Sequence, residues 1–321
     1  MGLAFIPVYI QYLGMEAYGL IGLFAMMQAW LTLLDMGMTP TLSREMARFD
    51  GGSYMAGPIR DLLRSVEIIA LGIAVFIAGG SVLGADWLAS SWLKADELPV
   101  AVVAQAFTIM GLVTALRFVE GVYRSSIVGL QRQVLFNVIN SSMATLRGLG
   151  AVAILVWVSP TILAFFLWQA LVSGATLAIL AGTTYASLPP TARPARFSVE
   201  ALRRVWRFAG GMLGITFLAL LLTQVDKLLL SKLLILSEFG FYTLAAVVAG
   251  ALYMLVSPIT QAWFPRLSQL HAAADHAGLV RTYHQGAQLV TVMMGSAALV
   301  LIVFSETFLH LWTQNATLAQ R

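Results

Sequence analysis

The sequence predicts an all-α, polytopic transmembrane helical bundle, and three observations predict it. Only 11% of the residues are charged against 59% hydrophobic, with a mean hydropathy of +0.84. A soluble domain carries roughly a quarter charged residues to wet its surface. Several apolar runs approach the ~20 residues that cross about 30 Å of hydrocarbon as helix. The runs are continuously apolar, whereas a barrel strand alternates over about ten residues. Lipid admits only helices or closed barrels, because every backbone polar group needs an internal partner.

Runs bounded by charge, proline or glycine delimit segments at 1–12, 18–42, 63–84, 99–119, 137–158, 161–185, 208–236, 241–264 and 286–312. The first is short, since twelve helical residues cover only about 18 Å. It has no basic stretch of a signal peptide, as the first positive charge is Arg44, and Ile6 stands where an acylation motif needs Ser or Thr. The chain therefore reads as starting inside its first span. Arginines alternate between loops: Arg44, Arg48, Arg60 and Arg64, then Arg117, Arg124 and Arg132, then Arg193 to Arg207, then Arg266 and Arg281. The positive-inside rule makes these loops, and the original amino terminus, cytoplasmic in a multi-pass bacterial inner-membrane protein. Trp87 and Trp92 mark the opposite loop 84–99 as interfacial. The proline- and arginine-rich stretch 187–207 separates an amino-terminal lobe of about six helices (1–186) from a partial lobe of about three (208–321).

An internal repeat accompanies this division. Leu13-Gly14-Met15-Glu16-Ala17-Tyr18-Gly19-Leu20 resembles Leu236-Ser237-Glu238-Phe239-Gly240-Phe241-Tyr242, each opening a long apolar run. Each run closes on a basic edge, and both intervals, Glu16 to Arg44 and Glu238 to Arg266, are 28 residues. A parallel repeat about the membrane normal is a transporter design.

Tyr12 to Gly19, Leu34-Asp35-Met36-Gly37-Met38, Ser43-Arg44-Glu45-Met46-Ala47-Arg48, and Gln224-Val225-Asp226-Lys227-Leu228 followed by Glu238 to Tyr242 resemble the polysaccharide-biosynthesis flippases. These are the O-antigen and lipid-linked oligosaccharide exporters of the multidrug/oligosaccharidyl-lipid/polysaccharide superfamily. The resemblance implies two pseudo-symmetric lobes around a central cavity, the second incomplete here, with the chain truncated at both ends. It implies alternating access for a lipid-linked glycan in the bilayer, with H+ or Na+ as a possible coupling ion and no cofactor.

Ionisable residues inside spans are costly and point to function. Lys227 and Arg147 are the expected cavity cations, suited to an anionic group such as a lipid diphosphate. Gln224, Lys227 and Ser231 would form one polar stripe; an inter-helix salt bridge is the competing role for Lys227. Asp226, Asp35 and Gln224 are expected as ion or salt-bridge partners, and Arg44 and Arg266 as a cytoplasmic gate or topology determinant. A cation antiporter of the same superfamily would instead use Asp35 and Asp226. His271, His276 and His284 are not spaced for a metal on one helical face. The sequon Asn315-Ala316-Thr317 is a weak signal, and no Walker loop, Ser/His/Asp constellation or large outer loop supports an enzyme. Nucleic acid is not implied by the small basic excess, and a membrane scaffold or non-functional fragment is the rival from another class.

Overall fold

The structure, a computed structural model, describes residues 2–35, 37–52, 56–190, 193–254, 256, 259, 263, 267, 270 and 275–313, with backbone only at 2, 3, 56 and 200–213. Ten helices carry the described chain: α1 (Gly2–Leu31), α2 (Met38–Asp50), α3 (Ala56–Trp87), α4 (Val100–Gly129), α5 (Gln133–Trp157), α6 (Ile162–Ser187), α7 (Val199–Leu233), α8 (Leu236–Ala251), α9 (His276–Val303) and α10 (Ser305–Thr313). Among the described residues, seven helical stretches are long and apolar enough to cross a membrane. The protein is thus an all-α, multi-pass helical bundle. Its contacts divide it into two compact units, Met1–Gly240 and Phe241–Arg321.

In the first unit α1 is two arms joined at Gly14, whose φ of 81° and ψ of 172° suit only glycine. Before the break, Phe5 packs on Gly148 in mid-α5 and Tyr9 meets Phe165 edge-on at the start of α6. After it, Glu16 reaches the residues just before α4, while Phe24 and Gln28 meet Phe166 and Arg117 farther along α6 and α4. The first arm therefore climbs beside α5 and the second descends beside α4, and the expected division between the first two segments falls at Gly14.

The second expected segment, 18–42, is not one span. Helix α1 stops at Leu31, a 3-10 turn covers Thr32–Asp35, and Gly37 in the left-handed conformation (φ 74°) opens α2. The physical reason is Asp35, whose carboxylate accepts from the Thr39 amide at 3.2 Å and the Thr39 hydroxyl at 2.8 Å and so starts a new helix. Helix α2 is amphipathic: Met38, Leu42 and Met46 are buried, whereas Arg44 and Arg48 are exposed. The last expected segment, 286–312, is likewise two helices, α9 and α10, parted at Phe304.

Helix α4 forms the middle of the unit, packing on α3, α6 and α2. Leu20, Leu23 and Phe24 of α1 join Val103, Ala106, Met110 and Val113 of α4 and Phe165 and Phe166 of α6 in the main core. The periphery is apolar too: Phe76 is 74% exposed, Leu83 87% and Leu222 85%. Such a surface is wetted by hydrocarbon rather than water, as composition requires.

The two ends of this unit are tied differently. At one, Arg193 pairs with Asp61 at 2.6 Å, the Arg196 amide donates to Asp61 at 2.8 Å, and the Ser198 amide to the Ser65 hydroxyl at 2.8 Å. The linker is thereby laid along the first turns of α3. At the other end the Glu16 carboxylate, 3% exposed, accepts the backbone amides of Asp96, Glu97 and Leu98 at 2.7, 2.8 and 2.9 Å. There too, Lys94 forms a bridge with Ile235, and its carbonyl accepts the Leu236 amide at 2.9 Å.

In the second unit Ala245, Val248, Ala298, Leu301 and Phe308 line an apolar cleft of about 400 Å³. Asp275 caps α9 by accepting the Gly278 amide at 2.8 Å, and Trp263 donates to the Thr282 carbonyl at 3.1 Å. Helix α8 covers the expected segment 241–264 as far as Ala251. Arg266, His271 and Asn315 to Thr317 lie outside the described residues.

Replacing Glu16 with Ala strands three amides that hydrogen-bond a charged acceptor, each such bond contributing about 1.5–3 kcal/mol. Glu16→Ala is expected to destabilise the protein by about 3 kcal/mol or more, read as a lowered unfolding midpoint in detergent.

Candidate functional site

A cavity of about 560 Å³ lies within the first unit, walled by the second arm of α1, the 3-10 turn, α2, α4, α5 and α7. Polar residues reach it because they recur at helical spacing on one face of each helix. On α4 these are Thr114, Arg117, Glu120, Gly121 and Arg124, and on α5 Asn140 and Arg147, seven residues apart. Gln28, Thr32 and Asp35 line it from α1 and the turn, Thr39 from α2 and Thr216 from α7. Three guanidinium groups thus face two carboxylates.

Arg117 is the best-held of the three. Its Nη1 donates to Gln28 Oε1 at 2.7 Å, its Nη2 to Gln169 Oε1 at 3.0 Å and its Nε to Ser173 Oγ at 3.4 Å. The guanidinium also sits 5.2 Å from the centre of the Phe24 ring. Every one of these partners is neutral, and together they engage all three guanidinium nitrogens. Arg147 differs: its Nε is buried and has no hydrogen-bond partner. Glu120 lies in the combined field of Arg147, Arg117 and Arg124, and its Oε2 is likewise buried and unpartnered. Asp35, by contrast, has both oxygens engaged by Thr39.

Of the residues expected from sequence, the fold brings Arg147 and Asp35 together in this cavity. Lys227 and Gln224 lie elsewhere on α7 and line no part of it; Lys227 Nζ contacts Gln224 Oε1 at 3.4 Å. Eleven residues separate Lys227 from Thr216, about 16 Å along a helix. The stripe continues to Ser231, which is buried and accepts from Trp92 Nε1 at 3.2 Å. Asp226 is exposed on α7, Arg44 is exposed on α2, and Arg266 is outside the described residues. Sequence reading missed Arg117, Glu120 and Arg124, because charges at the end of an apolar run look like loop residues. Their signal was the period of Thr114, Arg117, Gly121 and Arg124, which continues the helix instead of ending it. Among the described residues no group of three His, Cys, Asp or Glu is placed to hold a metal ion.

The chain has no cysteine, so single thiols can be introduced without background. Asn140→Cys, facing the cavity, is expected to react with a hydrophilic thiol reagent at least tenfold faster than Leu171→Cys. Leu171 is 62% exposed on the outer face of α6, where hydrocarbon suppresses the reactive thiolate. Equal labelling rates would mean the cavity is not water-accessible.

Comparison with known proteins gives this geometry a family. A Shigella flexneri protein with the provisional designation O-antigen transporter is 19% identical over 300 residues, covering 94% of this chain and 69% of its own length. No solved structure matches the chain. The family model described as polysaccharide biosynthesis protein matches residues 1–271. The protein, a multi-pass helical bundle with an arginine-lined cavity, belongs to the polysaccharide biosynthesis protein family.

Proposed function

We propose that the protein is a flippase that carries a lipid-linked oligosaccharide, such as an O-antigen, capsule or exopolysaccharide repeat unit, across the bacterial inner membrane by alternating access. The observation that carries this reading is the convergence of Arg117, Arg124 and Arg147 on one cavity inside an apolar bundle. A diphosphate joined to a lipid has to cross hydrocarbon that excludes ions, and fixed guanidinium groups replace its lost water. Arg117, with each of its nitrogens already donating to a protein partner, mainly supplies field; Arg147 and Arg124 supply hydrogen bonds. Thr39, Asn140 and Thr216 offer neutral partners for sugar hydroxyls. Family membership and the designation of the Shigella protein support the substrate class.

The rest of the cycle follows from the same reading. The arginine-rich loops face the cytoplasm, and the lobes 1–186 and 208–321 rock about the linker 187–207 to expose the cavity to each side in turn. Lys227 is proposed as a further anion contact along α7, with Arg44 and Arg266 at the cytoplasmic mouth. A cation antiporter is not favoured, since arginines outnumber carboxylates in the cavity and Asp35 is occupied by the amide and hydroxyl of Thr39.

The test is complementation of a strain lacking its lipid-linked oligosaccharide flippase, reading surface glycan at matched membrane abundance. Arg147→Gln is expected to lower surface glycan at least tenfold and Arg147→Lys to restore part of it. Full glycan from Arg147→Gln at normal abundance would overturn the cavity's role.

A further inference from the structure

We propose that Glu120 is a built-in competitor of the substrate's phosphate, a counter-ion that tempers the cavity arginines when it is empty and yields them to an incoming diphosphate. The inference rests on the diphosphate reading of the cavity and adds to it a residue that sets how tightly the substrate is held.

Three observations point to it. Glu120 stands on the same face of α4 as Arg117 and Arg124, three residues after the first and four before the second, and opposite Arg147 of α5 in one cavity. Its Oε2 is buried with no hydrogen-bond partner, as is Arg147 Nε. The other cavity carboxylate, Asp35, is spent on Thr39, and each guanidinium nitrogen of Arg117 already donates to Gln28, Gln169 or Ser173. Glu120 is therefore the cavity carboxylate with an oxygen left over, beside an arginine with a donor left over. A carboxylate placed for structure would be expected to saturate both oxygens, as a buried unpaired acceptor is costly. In a transporter the arrangement has a use. Guanidinium groups without a counter-ion would hold a diphosphate too firmly for release, and a carrier site has to bind well enough to load yet weakly enough to unload. Repulsion between Glu120 and the bound phosphates supplies the weakening, and the same carboxylate is the counter-charge that remains in the field of the arginines once the substrate leaves.

The experiment is calorimetric titration of the purified full chain in detergent with inorganic pyrophosphate and with a short-chain isoprenyl diphosphate. Glu120→Gln removes the charge but no hydrogen bond, and is expected to bind either probe about tenfold more tightly than the unaltered protein, or about 1.4 kcal/mol. In reconstituted vesicles it is expected to turn over more slowly at saturating substrate. Glu120→Asp, which keeps the charge on a shorter side chain, is expected to bind more weakly than Glu120→Gln, and Arg147→Gln more weakly than the unaltered protein. Unchanged or weaker binding by a monodisperse Glu120→Gln protein overturns the counter-ion role, even where Arg147→Gln still shows the cavity to bind diphosphate. Failure of the unaltered protein to bind either probe overturns the diphosphate reading itself. Isoprenyl diphosphate binding at least as tightly as pyrophosphate assigns the site to a lipid-borne group; binding of pyrophosphate alone assigns it to a soluble one and removes the lipid-linked substrate.

Discussion

An ionised guanidinium inside a bilayer costs roughly 2.5–3.5 kcal/mol even on insertion scales, and the first unit is organised around meeting that cost at Arg117. Its neutral partners come from two other helices, Gln28 and Phe24 from α1 and Gln169 and Ser173 from α6. Because the fork of donors is planar and rigid, those contacts fix the register of α1 and α6 against α4 as well as satisfying the charge. With Arg117 turned inward, helical periodicity turns Thr114, Glu120, Gly121 and Arg124 inward with it. The cavity and the clamp are thus one construction: the residue that is hardest to bury decides which face of α4 is wet.

The fold class was legible because composition alone leaves so few ways to satisfy a backbone in lipid, and the turn at Gly14 because a glycine there interrupts two apolar runs. The end of α1 at Leu31 was not. Thr32-Leu33-Leu34 reads as more of the same run, and the stop depends on Asp35 folding back on Thr39, a contact set by local geometry. No proline or glycine announces the break between α9 and α10 either; Phe304-Ser305-Glu306 looks like continued helix. In the site, Arg147 was visible because it interrupts a run in its middle, whereas Arg117 hid at the end of one. Lys227 attracted the same notice as Arg147, yet its contact is Gln224 one turn away on its own helix. A single sequence shows that a charge is buried; which helices converge on it is tertiary information.

The two turn motifs that read as copies of one another also meet in space. Gly19 lies against the carbonyl of Leu236, and Gly240 against the carbonyl of Met15, so closely that a Cβ on either glycine would collide with backbone. Small residues at crossing helices are the usual means of close approach in membranes, where lipid gives no hydrophobic reason to associate. The glycine in each motif therefore has a packing reason that is reciprocal: each makes room for the other's backbone.

Glu16 adds a matter of timing. Its three amide partners lie 80 to 82 residues later in the chain, a delay of about 4–16 s at ordinary rates of synthesis. During that interval the α1 hairpin has left the ribosome with a carboxylate that only water can satisfy. Its final seat exists only when α3 has crossed the membrane and presented residues 96–98 on the same side. The two arms of α1 are consequently finished only once α3 is in place, and a helix inserted in the wrong direction at α3 would leave Glu16 without its partners. The carboxylate thereby acts as a check, written into the turn after Gly14, on whether the membrane has been threaded correctly.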